Sequence, residues 1–476
     1  MTGGESIKVD VCVIGGGSGG LSVAAGASQM GASTVLVEKG LMGGDCLNYG
    51  CVPSKALLAA GHAAQAVRDA QGFGVTAGPP EISAAAVYSH IRDTIAAIAP
   101  HDSIERFEGL GVRVIQGEAR FGGRGVVVVG DTTIRARRFV IATGSSPLVP
   151  PIDGLDKVAY FTNETIFNGP ELPKNLIIIG GGPIGMELAQ AHRRLGARVS
   201  VLEMAKIMPG DDPELALVVA RQLAKDGVEI YQGADVSKVE KTPNGIALSY
   251  RVDGDEHRLE GSHLLIAAGR RANVTGLGLE AAGIEYSAHG IVVDGRLKTT
   301  NRKVFAIGDV AGGLQFTHVA GYHAGIVIRN ALFRLPARAD SRAVPRVTYC
   351  APELAQVGLT EDQARRQFGE VRVLRGSFAE NHRARAERET DGLIKVVTSP
   401  NGRILGAGIV GPQAGELIQV WVLAISKKMK IRDLASMIAP YPTLGEISKQ
   451  AAGSFYTPSL FSARTRKIVR FLRFFG

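Results

Sequence analysis

One pattern constrains this chain more than any other: an apolar strand, a glycine-rich turn, a helix and a second strand closing on an acid, written twice. Val9 to Ile14 runs into Gly15, Gly17 and Gly20. A helix of small residues follows to Met30, with Gly31 as its C-cap, and Thr34 to Val37 ends in Glu38. Leu176 to Ile179 runs into Gly180, Gly182 and Gly185. A helix follows to Leu195 with Gly196 behind it, and Val199 to Leu202 ends in Glu203. The interval from first glycine to acid is the same in both copies, and so is that from third glycine to capping glycine. A glycine-rich turn alone is common, but each copy follows a strand, opens a helix and meets an acid at the next strand's end. That is the context a dinucleotide requires. The first glycine makes the tight turn, the second lets a pyrophosphate approach the helix N-terminus, and the third lets helix and strand pack closely. Glu38 and Glu203 are then placed to accept hydrogen bonds from ribose hydroxyls.

At 476 residues the chain exceeds one hydrophobic core, so two to four packed units are expected. Between the repeats, Ala60 to Leu110 has helical spacing and reads as a pair of helices. Arg138 to Pro150 reads as a buried strand breaking into a proline-rich exit, which sets a boundary near residue 151. His263 to Arg270 is a second strand and turn of the same kind. Val304 to Asp309 is a third, ending in an acid before an apolar helix that begins near Thr317. After Arg334 strands and turns alternate, with one long helix expected around Ala414 to Lys428, which marks a C-terminal α+β domain.

Four cysteines, Cys12, Cys46, Cys51 and Cys350, are too few for a secreted disulfide scaffold, so a reducing, cytoplasmic setting is expected and any pair reads as catalytic or metal-binding. Lys8 to Ile14 enters the glycine cluster with no signal-like region before it, and no apolar run reaches membrane-spanning length. The formal charge of +9 suits an anionic partner. Nucleic acid has no motif behind it, since zinc-finger spacing and aromatic RNA-binding motifs are missing and there is one Trp.

Cys46 and Cys51 lie in GGDCLNYGCVPSK at the head of a helix expected from about Val52 through Ala60. Their spacing is not that of a zinc site, and no metal is expected. On an ideal helix the two side chains would point about 140° apart, so joining the sulfurs needs a distorted turn, with Gly43, Gly44, Gly50 and Pro53 at hand to make it. A strained pair suits a catalytic disulfide better than a structural one, and the helix dipole favours a thiolate at Cys51.

These residues together resemble the class I pyridine nucleotide-disulfide oxidoreductases, the family of glutathione reductase, dihydrolipoamide dehydrogenase and mercuric reductase, from Asp10 to about Ala452. The resemblance implies an α/β fold of two Rossmann-like dinucleotide-binding domains plus a C-terminal α+β dimerisation domain, assembled as a homodimer. It places an FAD domain at 1–150 and 271–340, an NAD domain at 151–270, an interface domain at 341–460 and a basic tail at 461–476. By the same resemblance FAD is held by Gly15, Gly17, Gly20, Glu38, Lys39, Gly44, Asp45, Lys55, Ala119, Ala142, Thr143, Gly144, Asp309, Phe316, Thr317 and His318. The nicotinamide coenzyme is held by Gly180, Gly182, Ile184, Gly185, Glu187, Glu203 and Gly269, and Thr348 to Gly358 opens the dimerisation domain. The resemblance implies that NADH delivers hydride to the flavin, that flavin electrons pass to Cys51, that Cys46 meets the substrate, and that Lys55 with Glu187 forms an ion pair beside the flavin. Physically, a lysine at the flavin edge stabilises developing negative charge. Glu203, with Pro209 six residues on, repels a 2′-phosphate, so NAD(H) is expected over NADP(H) despite Lys206.

The chain departs from the family where a His-Pro-Thr-x-x-Glu segment is usual and Tyr441, Pro442, Thr443, Leu444, Gly445 and Glu446 stand instead. A phenol, titrating near pH 10, is a poor base at neutrality, which predicts slow dihydrolipoamide oxidation. Mercuric reductases are similar at Tyr441, yet this chain has no cysteine after Cys350 to receive a metal. A small or protein-borne dithiol or disulfide is therefore the expected substrate, with mercuric reduction or a slow redox sensor as alternatives. Tyr441 and Glu446 are expected, by the resemblance, to reach the partner subunit's cysteines. Phe461 to Gly476 carries Arg464, Arg466, Lys467, Arg470 and Arg473 among apolar residues and no acid. That pattern fits a helix on anionic lipid or a partner protein, or one packed on its own dimer.

Overall fold

The structure, a computed structural model, describes residues 5–169 and 171–475, so residues 1–4 of the expected FAD domain and Gly476 of the basic tail lie outside it. The described residues form two compact units. One takes in the chain up to Gly181 with Ala191–Met204 and Gly233–Ala339. The other takes in Gly182–Gln190, Ala205–Gln232 and the chain from Asp340 onward.

In the first unit, strand Ser6–Ile14 lies between Thr34–Glu38 and Thr132–Ile141, parallel to both, and Val112–Gln116 and Val304–Ala306 extend the parallel set. A hairpin, Ala119–Gly123 and Val126–Val129, continues the sheet antiparallel at one edge. Val11, Cys12, Val13 and Ile14 are all buried because both faces of the sheet are covered, one by helices and the other by the hairpin and the stretch from Ala272 to Ile291. Such strands read as unbroken apolar runs rather than alternating ones. Helices Ser18–Gln29 and Thr317–Ala331 pack on that sheet through Leu21, Val23, Ala24, Ala324 and Val327. A second parallel set has Asn175–Ile179 flanked by Arg198–Glu203 and His263–Ile266. A three-stranded antiparallel sheet of Asp235–Thr242, Gly245–Val252 and Asp255–Gly261 intervenes before the last of these.

The second unit contains a five-stranded antiparallel sheet in the order Pro345–Thr348, Glu353–Gly358, Ile404–Gly411, Leu393–Thr398, Arg372–Ser377. Its central strand Ile404–Gly411 is buried along its whole length. Trp421 and Ile447 join its core, and the Trp421 indole donates to Ser448 Oγ at 3.0 Å, satisfying the one polar atom that a buried tryptophan carries.

The fold is the expected α/β pair of nucleotide-binding folds with a C-terminal α+β domain, and three local expectations need correction. The long helix around Ala414 to Lys428 is two, Ala414–Leu417 and Gln419–Ser426, because Trp421 N bonds back three residues to the Ile418 carbonyl and tightens the turn. The cysteine helix continues past Ala60 to Asp69. Beyond it, the segment expected as a helical pair holds Ala84–Ile98 and the short Ile104–Gly109. Among the described residues no helix is long and apolar enough to cross a membrane.

Candidate active site

The two fingerprints repeat in three dimensions. A side chain at Gly15 would meet the Ala142 carbonyl at 2.3 Å, and one at Gly180 would meet the Ala267 carbonyl at 2.3 Å. Both residues also hold φ above +100°, so only glycine fits either turn. Glu38 accepts from Gly16 N, and Glu203 accepts from Gly181 N at 2.7 Å, so each acid is aimed by the loop it closes. Glu38 also accepts from Gly40 N at 2.6 Å. Helix Ser18–Gln29 begins at Gly17 with no side-chain cap and no acid in its first turn. Its leading N–H donors and partial positive charge therefore fit a dinucleotide diphosphate, and with Glu38 as ribose acceptor the residues present fit FAD.

The cysteine segment is clamped onto this loop. A side chain at Gly44, where φ is +60°, would come within 2.8 Å of the Gly17 Cα, so the two backbones touch where any other residue would part them. The distorted turn between the cysteines is a break between helices: Cys46 sits in Gly44–Asn48, and Cys51 is the first residue of Cys51–Asp69. Asp45, beside Cys46, accepts from Asn163 Nδ2 at 3.1 Å and from Arg270 at 3.1 Å. Asn163 also donates to the Tyr49 carbonyl. The Arg270 guanidinium, its side chain 12% exposed, donates to Ser145 Oγ at 2.7 Å and to the Ser145 carbonyl, and lies 3.9 Å from Asp309. Asp309 accepts from Ser145 Oγ at 2.5 Å, and burial holds its carboxyl above the usual range against that bond.

Cys46 and Cys51 carry free thiols hydrogen-bonded to each other. The Cys46 bond, first, pulls the Cys51 thiol down to about 6 against burial, aided by Thr317 Oγ1 at 3.3 Å and the Lys55 ammonium one helical turn on. The same bond, then burial, then the Cys51 charge push the Cys46 thiol up. Cys51 is thereby the more acidic of the two thiols. Cys12 and Cys350 are buried elsewhere, and burial pushes Cys12 up to about 12.

Gly15, Gly17, Gly20, Glu38, Gly44, Asp45, Cys46, Cys51, Lys55, Thr143, Gly144, Asp309 and Thr317 all lie in the first unit. So do Phe316 and His318, whose rings stack at 5.2 Å, and Ala119 and Lys39, the latter 4.0 Å from Glu118 in an exposed pair. Gly180, Glu203 and Gly269 share that unit, and the Gly269 carbonyl accepts from Leu148 N. Gly182, Ile184, Gly185, Glu187, Tyr441 and Glu446 belong to the second unit, where the buried Glu187 carboxylate accepts from Tyr349 N at 2.9 Å. Tyr441 is 70% exposed, and its hydroxyl lies 3.2 Å from His382 Nδ1. Sequence reasoning did not single out Asn163, Arg270, Ser145 or His382, although Ser145 and Arg270 lie in strand-and-turn stretches it read. Among the described residues no group of His, Cys, Asp and Glu could hold a metal ion.

Residues 9–324 match the family model for pyridine nucleotide-disulphide oxidoreductases, and residues 344–452 match that family's dimerisation domain. The chain is 36% identical to dihydrolipoyl dehydrogenase of Bacillus subtilis (strain 168), over 95% of this chain and 97% of that one. It is 34% identical to mercuric reductase of Bacillus cereus, over 94% and 71%. Among solved structures, LpdA of Mycobacterium tuberculosis superposes with a TM-score of 0.85 at 26% identity, covering 94% of this chain and 99% of that one. The HOCl-induced flavoprotein disulfide reductase RclA of Escherichia coli, as its Cu(II) complex, gives 0.83 at 28%, covering 93% and 99%.

Proposed function

The chain belongs to the pyridine nucleotide-disulphide oxidoreductases, and from that premise we propose that it moves electrons between NAD(H) and a small or protein-borne dithiol or disulfide through Cys46 and Cys51. It is an FAD-dependent oxidoreductase acting on sulfur, and its dimerisation domain supports a homodimer. When bound, FAD supplies two-electron transfer between the nicotinamide and the sulfur pair. The chain's own residues do the rest. Gly15, Gly17 and Gly20 would hold the diphosphate at the helix N-terminus, Glu38 would take the ribose, and Asp309, which accepts from Ser145 with Arg270 nearby, would take a hydroxyl of the cofactor. Lys55 steadies negative charge at the flavin edge and on Cys51. Cys46 exchanges with substrate.

The observation that carries this reading is the placement of the pair: Cys46 and Cys51 flank a break between two helices, Cys51 heads the second with Lys55 one turn on, and Gly44 holds the segment against the Gly17 turn. A Cys51 thiol pulled down and a Cys46 thiol pushed up accord with that arrangement. A thiolate leaves readily, so attack on Cys46 expels Cys51. We favour NADH because the Glu203 carboxylate, held at the turn by Gly181 N, opposes a 2′-phosphate. An assay with lipoamide, glutathione disulfide and a Hg(II)–thiol complex side by side, each with NADH and NADPH, tests both points. Turnover of a disulfide with NADH, at kcat/KM at least about tenfold above NADPH, is expected. Faster mercury reduction, or equal use of both coenzymes, would overturn the corresponding claim.

Tyr441 and Ile438, the latter 95% exposed, stand on one loop of the matched dimerisation domain. Apolar side chains so exposed support a loop covered by the second subunit, which is where Tyr441 and Glu446 would meet the partner's cysteines.

For the tail we infer contact with an anionic lipid surface. Helix Ala463–Leu472, capped by Ser462, has no buried residue, and Phe471, Leu472, Phe474 and Phe475 are exposed beside its arginines. Full-length protein should sediment with phosphatidylserine vesicles, while a chain ending at Thr457 should not. Equal recovery of both in the supernatant excludes lipid.

A further inference from the structure

Where the family's histidine is usual, Tyr441 brings its hydroxyl to 3.2 Å from His382 Nδ1, and the two rings meet edge to face with centroids 5.9 Å apart. A third residue fixes the pair. Buried Asn381 accepts from Ala384 N at 3.0 Å, capping the helix that His382 begins, and donates to the Thr443 carbonyl at 3.1 Å, two residues beyond Tyr441. The cations beside His382 are engaged elsewhere: Arg383 pairs with Glu387 and Arg385 donates to the Ala379 carbonyl. An imidazole is therefore presented to the phenol from a different element, 59 positions away in the chain.

We propose that His382 is a positioning residue that receives, through the Tyr441 hydroxyl, the proton a dithiol substrate must lose before its sulfur can attack. This rests on the reading above in which Tyr441 reaches the partner subunit's cysteines. With its own proton on Nε2, His382 takes the Tyr441 hydroxyl proton at Nδ1 while that hydroxyl takes a proton from the first substrate thiol. The new thiolate attacks the sulfur of the partner subunit's Cys46, and the disulfide breaks with its electron pair leaving on the partner subunit's Cys51. The second substrate sulfur gives its proton to water and attacks the first. The bond from substrate to the partner subunit's Cys46 then breaks, and that sulfur takes back the proton held at His382. The dithiol is oxidised to its disulfide by two electrons, and the cysteine pair gains the same two. Imidazoles as a class titrate near neutrality and phenols near pH 10, so the pair can do what Tyr441 alone does poorly.

The test is steady-state oxidation of dihydrolipoamide by NAD+ with the full-length holoenzyme, comparing wild type, H382A, H382N, Y441F and the Y441F/H382A double variant. Loss of the imidazole in H382A should lower kcat about a hundredfold. H382N keeps an acceptor for the Tyr441 hydroxyl but cannot take up a proton. It should lose kcat equally while its KM stays within about twofold of wild type. In the Y441F background the H382A change should cost nothing further, whereas a general folding defect would add to it. Recovery of kcat in H382N, or a full additional loss in the double variant, overturns the proposal. Release of two thiols per subunit from wild type on adding NADH separates the two claims. Its failure sinks the sulfur relay itself, and its success alongside wild-type kcat in H382A sinks only the role of His382.

Discussion

Cys46 and Cys51 are the same residue type five positions apart, yet their surroundings drive their acidities in opposite directions. The Cys46 thiol is the largest influence on Cys51, ahead of Thr317 and Lys55, so removing it should let the Cys51 thiol rise from about 6 toward the ordinary thiol range. Thiolate absorbance of the reduced protein, followed with pH, should show a step near 6 that moves upward in C46A. A step that stays in place would assign the effect to Lys55 and the helix terminus. The sign for stability follows from linkage. The lowered Cys51 thiol favours the fold as pH rises from about 6 toward the unfolded thiol's range and loses that contribution as pH falls through about 6, while above that range the raised Cys46 thiol acts against it. The cysteines and their glycines were legible in the sequence because turn chemistry and spacing are local. Asn163 and Arg270 were not, since they grip Asp45 from across the chain, Asn163 from 118 positions away, and nothing in the residues beside them marks a partner so distant.

At the scale of elements, a buried cation organises the second unit. Lys395, on strand Leu393–Thr398 and 7% exposed, lies 2.9 Å from each of Asp212, Glu214 and Glu361. Burial alone would pull its ammonium down, but the three carboxylates hold it above the ordinary lysine range. Asp212 is also the N-cap of helix Pro213–Asp226, accepting from Glu214 N, and Glu361 opens helix Glu361–Phe368. One ammonium thus ties two helix N-termini to the central sheet. K395M would leave the buried Asp212 without its cation, while Arg375 still pairs with Glu214 and Arg365 with Glu361, at a cost of about 3 kcal/mol. Thermal denaturation should show a clearly lowered transition, and an unchanged one would mean that solvent screens the cluster. No periodicity announces such a node, because charged residues in a sequence read as surface until packing encloses them. The parallel strands were legible because double burial leaves an unbroken apolar run, as in Val11 to Ile14. The break at Ile418 was not, because the Trp421–Ser448 bond that orients the second helix joins residues 27 positions apart.

For the whole molecule, the repeated fingerprint explains why one chain holds two dinucleotides, but the split of roles between subunits decides whether one chain can work alone. If Tyr441 serves the partner subunit's cysteines, a subunit lacking Cys51 and another lacking Tyr441 are each inactive as homodimers and complementary as a pair. In a symmetric dimer of C51S with Y441F, one site has neither group and the other has both. Coexpression at equal levels makes half of all dimers mixed, each with one intact site, so dithiol oxidation should recover to about a quarter of wild type. Separately purified homodimers mixed without exchange should stay inactive. Were Tyr441 to act on cysteines of its own subunit, every site in the mixed dimer would lack one group and no activity would return. The mixed dimer therefore reads out subunit geometry directly, and it does so without disturbing the fingerprint loops, where only glycine fits at Gly15 and Gly180.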